Sequence, residues 1–591
     1  MRLPIRLEIR LRMFNKARWR AFCSATTFLS LCFLGIQDTT AEENHDFSLK
    51  FKPKNYTKEV IKDNGKTIRI RSYKYLVYVK HPVDLQYQTL NVYVPEAYYH
   101  KESINGYSSE TAPIFFPNAV NGYMSAEAAI PEDKPWDFSD RSGHGGRGEP
   151  PHGGGQFGQV GVKAGGFSMN AGLTGLFMGG GQGEGGSAGG GPGGGGGPSG
   201  GSSFGGPGGG GPGGNPPGGM RPPMDMIQKK NSVFEALAHG YVVVSPGVRG
   251  RNLKDKEGKN YGKAPASIVD LKAAVRYLHY NDSVMPGDAN KIISNGTGAG
   301  GALSALLGAT GDSLDYKSYL DVLGAAKASD AIYAVSCYCP ITDLDHADMA
   351  YEWLFNGENK YKESDGSVSK LSRKERKLSR LLKTQFTSYL NSLNLKDENN
   401  SLLSLDDNGN GSFKDYLKSY LMASVQTYIM EGADLRGCPS WIKLRGHTVV
   451  DVNLDEFIHY VGRSKTPAAF DSVKLTSPET SLFGTESVAS QHFTQFTSKE
   501  SRDHSLADFQ CVKMMNPIYY VGDQEVKTAS YWRIRHGTKD TNTSYAVPLI
   551  LATKLANNGE DVDMAFSWGQ RHSGDYDLES LFEWIDSICR K

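Results

Sequence analysis

The sequence lacks an excess of either charge. Its 65 lysine and arginine residues and 64 aspartate and glutamate residues leave a formal net charge of +1. Nucleic acids and anionic membrane surfaces attract proteins through a marked positive excess, so the composition gives no reason to expect either as a partner.

Cysteine is scarce, and no C-x-x-C metal spacing occurs. Two of the seven cysteines, Cys23 and Cys32, belong to an N-terminal targeting segment. The remaining five form an odd set, which leaves at least one free thiol and does not indicate a disulfide framework. We expect neither a metal nor a cofactor in the functional site.

The N-terminal apolar run, residues 21–36, is shorter than the roughly 20 residues that a membrane-spanning helix needs. Basic residues precede this run, and the small residues Thr39, Thr40 and Ala41 follow it. This pattern predicts a cleaved signal peptide over residues 1–41 and a secreted or periplasmic protein. An uncleaved anchor is the alternative.

Glycine and proline dominate residues 143–223. Such sequence buries too little apolar surface to offset its ordering entropy, so we predict a disordered insertion. It interrupts a core that we assign to residues 45–342 and 516–591. The segment between, residues 343–515, reads as mostly helical and is predicted to be a cap over the core.

A strand-like run at residues 290–293 leads into Gly296-Thr297-Gly298-Ala299-Gly300, and a small-residue helix follows at 302–307. Strand, tight glycine turn and helix is the layout of the G-x-S-x-G nucleophile elbow of α/β-hydrolases. The attacking serine of that motif is replaced here by Gly298, which has no side chain.

Two further residues complete the order nucleophile, acid, histidine. Asp540 follows a predicted strand at 531–537, and His572 lies in the loop after another at 562–568. Together with the elbow they predict an α/β-hydrolase fold, a mostly parallel sheet flanked by helices, with Asp540 and His572 as catalytic acid and base. A turn aspartate and a solvated loop histidine are the alternatives for the single residues.

The loop after the predicted strand 112–116 lies where this fold places one oxyanion-hole amide. We assign that role to Asn121 and Gly122, with the second amide from Ala299 after the elbow, and a plain surface turn is the alternative for the loop. The turn 249–251, with two arginines, follows another strand end. For that turn, pocket lining and an exposed basic turn both stay open.

Residues 406–411 match the first half of an EF-hand calcium loop. The twelfth position is Leu417, where a bidentate glutamate is required. A polar turn before a helix is therefore the favoured interpretation of residues 406–417, and calcium binding the weaker one.

Several longer motifs, over about residues 75–584, resemble the bacterial tannase family, subtype B, whose members are α/β-hydrolases that cleave galloyl esters. They are Phe115-Phe116-Pro117-Asn118, Gly240 to Gly247, Asn295 to Gly308, Tyr338 to Met349, Arg535-His536-Gly537-Thr538 and His572 to Asp577.

This resemblance places Gly298 at the family's serine position, Asp540 at its triad acid and His572 at its triad base. It also implies that Lys465, Glu479 and Asn542 occupy the positions that bind the phenolic hydroxyls of the galloyl ring. The family has a second aspartate at the last position. Asparagine carries no charge and strengthens a phenol contact less. Galloyl and hydroxycinnamoyl esters are therefore both open as substrates.

Three accounts of function compete at this point. The chain is an aromatic-ester hydrolase with one inactivating change at Gly298. Alternatively, it binds aromatic esters without turnover, an account that the substitution at Asn542 favours. In the third account it is an interaction protein whose glycine-rich insertion engages cell-surface polymers.

Overall fold

The computed structural model describes residues 46–63, 65–131, 231–363, 366–433 and 438–590. The predicted signal peptide and the predicted disordered insertion over 143–223 lie outside the described residues. Within the described part of the chain, no helix has both the length and the apolar character needed to cross a bilayer.

The core of the structure is a nine-stranded sheet in the order β1-β2-β3-β5-β4-β6-β7-β12-β13. Along this order, the neighbouring pairs β1–β2, β2–β3 and β3–β5 are antiparallel. Each neighbouring pair from β5 to β13 is parallel. Its strands are β1 (Thr57–Asp63), β2 (Lys66–Val77), β3 (Thr89–Pro95), β4 (Pro113–Asn118), β5 (Val242–Pro246), β6 (Asp288–Thr297), β7 (Ala334–Tyr338), β12 (Tyr531–Gly537) and β13 (Asp561–Ser567).

Helices cover this sheet, and two of its inner strands are buried along their whole length. Every residue of β5 and of β7 is buried, which explains runs such as Val242-Val243-Val244. The helices that pack with the sheet or with one another around it are α1 (Ser232–Ala238), α2 (Ala266–Asn281), α3 (Ala299–Ala309), α4 (Lys317–Val322), α12 (Ala546–Asn557) and α13 (Leu578–Cys589). This architecture confirms the predicted α/β-hydrolase fold class.

Two details of the sheet differ from the sequence prediction. Residues 88–94 have the pattern of an alternating strand, which predicts one exposed face, but all seven residues of β3 are buried. The strand lies inside the sheet between β2 and β5, and helix α1 packs against it. The edge strand β1 was not predicted; it pairs with β2 through the register Thr57–Ser72 to Asp63–Lys66.

Between β7 and β12 the described residues contribute no strand to the large sheet. This part contains two small hairpins and a series of helices, so it is mostly helical, as the sequence indicates. Its elements are α5 (Leu344–Phe355), β8 (Lys360–Lys362), β9 (Val368–Lys370), α6 (Arg373–Ser392), α7 (Ser412–Met430), β10 (Ile442–Arg445), β11 (Thr448–Val452), α8 (Leu454–Val461), α9 (Pro478–Leu482), α10 (Gln495–Glu500) and α11 (Phe509–Lys513).

Helix α3, which starts at the glycine turn, packs directly on β7 and β12 through Gly308. A Cβ atom added there would lie 2.3 Å from Val335 Cγ2 and 3.1 Å from the Trp532 ring. We predict that Gly308→Ala lowers the free energy of unfolding by about 1–3 kcal/mol through overpacking, although alanine is the better helix former. Denaturant unfolding measures the change.

The matched control is Val335→Ala, which removes the methyl group that the new Cβ would meet. The double variant should lose less stability than the sum of the two single losses, because the contact is shared. Strict additivity would contradict the close approach of α3 to the sheet.

Candidate active site

The turn between β6 and α3 has the backbone geometry of a nucleophile elbow. Gly298 has φ +59° and ψ −118°, a conformation that residues with a side chain rarely adopt. Its N–H donates to the Tyr338 carbonyl at 2.9 Å, and its carbonyl accepts from Ala302 N at 2.9 Å. The turn is therefore held from β7 on one side and by α3 on the other.

The outer glycines of the turn are required by close packing. A Cβ on Gly296 would lie 2.5 Å from the Gly300 carbonyl, and a Cβ on Gly300 would lie 2.6 Å from the Asn118 carbonyl. These distances are far shorter than normal van der Waals contacts. The G-x-G-x-G pattern thus lets α3 approach β6 and the loop after β4.

His572 and Asp540 form a hydrogen-bonded pair beside this turn. His572 Nδ1 lies 2.8 Å from Asp540 Oδ2, and the Asn542 N–H donates to Asp540 Oδ1 at 2.8 Å. Burial alone would raise the pKa of Asp540, but the charges of His572 and His536 and these hydrogen bonds hold it well below its usual range. Asp540 is therefore a carboxylate that orients the imidazole.

The other imidazole nitrogen faces Gly298. A Cβ built on Gly298 would lie 2.7 Å from His572 Nε2. The structure therefore brings together all three residues that the sequence placed in a triad. Because this separation is below any real Cβ contact, the imidazole has to retreat by a few tenths of an ångström to admit a side chain at position 298. The contacting atom is the far end of a flexible side chain, so that movement is cheap.

A second histidine at the acid was missed by sequence reasoning. His536 is fully buried, and its Nε2 lies 3.8 Å from Asp540 Oδ2. Neither ring nitrogen has a hydrogen-bond partner among the described residues. Burial lowers the pKa of His536 to about 4, with the Asp540 carboxylate acting in the opposite direction. His536 is thus a second imidazole beside the Asp540 carboxylate, to which His572 also bonds. The motif Arg535-His536-Gly537 was its only sequence signal.

The loop after β4, which carries Asn121 and Gly122, lies against the elbow, since a Cβ on Gly300 would also lie 2.9 Å from the Val120 carbonyl. Ala299 is the first residue of α3, so its N–H has no acceptor within the helix. Both predicted sources of oxyanion-hole amides therefore border the turn.

Arg251 holds this loop through two hydrogen bonds, a role that the sequence left undecided. Its backbone N–H donates to the Tyr123 carbonyl at 2.9 Å, and its side-chain Nε donates to the Gly122 carbonyl at 2.7 Å. Burial lowers the pKa of Arg251, and the Glu479 carboxylate opposes that shift. Arg249 points elsewhere, into a buried ion pair with Asp270 at 2.8 Å. The turn 249–251 is therefore not an exposed basic turn.

Lys465 and Glu479 are two opposite charges close enough to influence each other. Burial lowers the pKa of Lys465 while Glu479 raises it, and burial raises the pKa of Glu479 while Lys465 lowers it. Lys465 Nζ lies 4.1 Å from the centroid of the Phe470 ring. Phe470 is fully buried, so its ring contacts the ammonium group from within the protein.

The backbone of Lys465 is tied to the acid loop. Tyr351 Oη accepts from Ser464 N and Lys465 N, each at 3.2 Å, and donates to the Thr541 carbonyl at 3.0 Å. Thr541 lies between Asp540 and Asn542 in sequence. One tyrosine hydroxyl thus links the segment with Lys465 to the segment with Asn542.

A buried ion pair between Arg463 and Glu352 holds the backbone of Lys465. Arg463 Nε donates to the Lys465 carbonyl at 2.8 Å, and its Nη1 lies 3.1 Å from Glu352 Oε2 on α5. Both side chains are almost completely inaccessible to solvent. Burying two charges is costly, and a pair of this kind is retained where it holds a geometry.

Residues 406–411 form a hydrogen-bonded turn before α7. Asp406 Oδ1 accepts from Asn408 N and Asn410 N, each at 2.9 Å. Elsewhere in the described residues, two groups of side chains have metal-ligating atoms close together. Members of both groups also bond to protein side chains, namely His572, Tyr389, Asn516 and Tyr519. The two groups are Cys339, His536 and Asp540, and Asp343, Asp345 and His346.

Chemically, the site combines an oriented base, backbone donors at a helix start and, within electrostatic range of Asp540, the Lys465–Glu479 pair. In a serine esterase such parts deprotonate the nucleophile and stabilise the tetrahedral oxyanion. Here the turn apex offers no hydroxyl or thiol.

Comparisons with known proteins agree with this geometry. The BD-FAE family matches residues 222–386, and none of the curated proteins compared with the chain matches it. Fusobacterium nucleatum tannase is 41% identical, with 92% of this chain and 100% of that chain covered and a TM-score of 0.73.

Two further solved structures are similar over the same extent. Tannin acyl hydrolase from Lactobacillus plantarum is 36% identical, with 92% of this chain and 99% of that chain covered and a TM-score of 0.74. A tannin acyl hydrolase in complex with ethyl gallate gives the same identity, coverage and TM-score. Identity at this level over nearly the whole chain confirms the resemblance seen in the motifs, and the chain belongs to the bacterial tannase family of ester hydrolases.

Proposed function

We propose that this protein is an exported, tannase-like esterase scaffold that takes small aromatic esters and whose catalysis is strongly impaired because Gly298 replaces the nucleophile. The observation that carries the proposal is the His572–Asp540 pair, whose Nε2 is directed at a turn apex without a side chain. Galloyl and hydroxycinnamoyl esters are the substrate classes.

The proposed mechanism divides the site into a binding half and a reacting half. Lys465, Glu479 and Asn542 would hold the ring hydroxyls of the acyl group. Ala299 N–H and an amide of the Asn121-Gly122 loop would stabilise the oxyanion. The ethyl gallate bound by a related tannin acyl hydrolase supports an aromatic ester as the ligand class.

Without a serine, no acyl-enzyme forms at position 298. Loss of a triad nucleophile removes most of the rate acceleration, and a residual acceleration of about 10³–10⁴ over water comes from the oxyanion donors and binding. The wild-type chain is therefore expected to bind aromatic esters and to cleave them slowly.

A second candidate is an aromatic-ester binding protein without any esterase role. The substitution at Asn542 favours it, because a site selected for galloyl turnover would be expected to keep the charged partner. The buried charges of Lys465 and Glu479 suit binding as well as catalysis.

Gly298→Ser tests the first candidate. We expect it to raise the hydrolysis of methyl gallate or methyl ferulate by at least about 10³-fold over wild type, because the base and its orienting acid are already in place. Product release followed by chromatography measures the rate. The serine has to adopt φ +59°, so a stability loss of about 1–3 kcal/mol is expected alongside.

Gly298→Ala is the matched control, since it imposes the same backbone demand and the same contact with His572 but adds no hydroxyl. It should remain as slow as wild type. If Gly298→Ser is folded, binds the ester and still fails to cleave it, the binding-protein account replaces the esterase account.

Asn542→Asp, made in the Gly298→Ser background, tests the acyl preference. We expect kcat/KM for methyl gallate relative to methyl ferulate to rise about tenfold, because a hydrogen bond to a charged acceptor is worth roughly 1–2 kcal/mol more than a neutral one. The control Asn399→Asp adds the same charge at an exposed loop position. An unchanged ratio would remove Asn542 from the acyl pocket.

Arg251→Gln in the same background tests the oxyanion loop. We expect kcat to fall about 10–100-fold with little change in KM, because the Gly122 carbonyl loses its donor and the neighbouring amides lose their fixed direction. Affinity for an arylboronic acid, which mimics the tetrahedral intermediate, should fall in parallel with kcat. Lys254→Gln, an exposed neighbour on the chain, is the control. Equal losses in the two variants would contradict the proposed positioning role.

A further inference from the structure

A second concave site lies where α5 ends and α6 begins, and its lining includes none of the candidate active-site residues. It is a cavity of about 350 Å³, within the size range of small-molecule sites. We call it the arginine pocket. Its lining residues are Asn356, Gly357, Asn359, Arg373, Arg376, Ser379 and Arg380.

The pocket contains three arginines on one side of α6. Residues i, i+3 and i+7 of a helix share a face, and Arg373, Arg376 and Arg380 have this spacing, with rises of about 4.5 Å and about 6 Å between them. All three are exposed. Among the described residues, no hydrogen bond or ion pair engages any of their guanidinium groups.

The nearest acidic side chains in the sequence are already engaged. Glu375 accepts from Ser372 N at 2.6 Å and forms the capping box of α6. Glu358 pairs with His459, whose Nδ1 lies 3.1 Å from Glu358 Oε1. The hydrogen-bonding atoms of these two carboxylates are thus directed at Ser372 and His459, and no contact joins them to the arginines of the pocket.

Neutral polar groups complete the lining. Asn356 Nδ2 donates to Ser379 Oγ at 2.8 Å, so the Ser379 hydroxyl hydrogen can be donated to a ligand. Asn359 Nδ2 donates to the Gly357 carbonyl at 2.8 Å, which fixes the loop between α5 and β8. The pocket thus offers hydrogen-bond donors on a shaped surface.

We propose that the arginine pocket binds a molecule carrying two or more oxyanion groups, carboxylate or phosphate. Guanidinium groups match these groups because each can donate two parallel hydrogen bonds to a planar oxyanion. Three converging cations also repel one another, and a bound polyanion relieves that repulsion. The cavity is large enough for a small polycarboxylate or for one end of a polyuronate chain.

The test uses the full chain and isothermal titration calorimetry at low ionic strength with citrate, inorganic phosphate and trigalacturonate as separate probes. Wild type should bind at least one probe saturably. Arg376→Gln/Arg380→Gln should weaken that binding at least tenfold. Lys374→Gln/Lys377→Gln removes the same charge from exposed residues of α6 that do not line the pocket, and it should leave the affinity within about twofold.

Binding of citrate or phosphate would identify a small anion as the ligand source, and tighter binding of trigalacturonate would identify a polymer. Circular dichroism establishes that both double variants are folded. Two outcomes overturn the proposal: no saturable binding of any probe at millimolar concentration, or equal weakening in the two double variants, which would show diffuse charge attraction in place of a site.

Discussion

The hydrogen bond between His572 Nδ1 and Asp540 Oδ2 is the interaction on which the site depends. It joins two loops that follow neighbouring parallel strands, β12 and β13, and it directs the other imidazole nitrogen towards the turn after β6. A buried carboxylate is stable there because it accepts both the imidazole and the Asn542 N–H. A side chain at position 298 would meet the same imidazole nitrogen.

Buried and partly buried polar contacts hold the segments around this pair. Tyr351 links the Lys465 segment to the acid loop, and the Arg463–Glu352 pair supports the same segment from α5. Arg251 holds the opposite wall through the Gly122 carbonyl. Removing one partner from such contacts leaves a buried charge or carbonyl unsatisfied, which costs more than the contact itself contributes.

Much of the fold was predictable because each element carries a local signal. The runs predicted as strands at 112–116, 290–293, 531–537 and 562–568 became β4, β6, β12 and β13. The roles of His536 and Arg251 were not predictable. Each depends on a partner brought close by the fold, and nothing in the neighbouring residues indicates that partner. The missing alternation in β3 has the same origin, since burial of both faces is set by neighbouring strands and helices.

The amino-acid sequence alone determined that position 298 has no nucleophile, that a glycine turn joins a strand to a helix there, and that an acid and a histidine follow in the order of a hydrolase triad. These are properties of residue type and local order. Only the tertiary structure decided that Nε2 of His572 lies 2.7 Å from the place of a Cβ at 298, and that Arg251 binds the loop of Gly122. Such distances join residues far apart in the chain, and they arise from the packing of parallel strands and their covering helices.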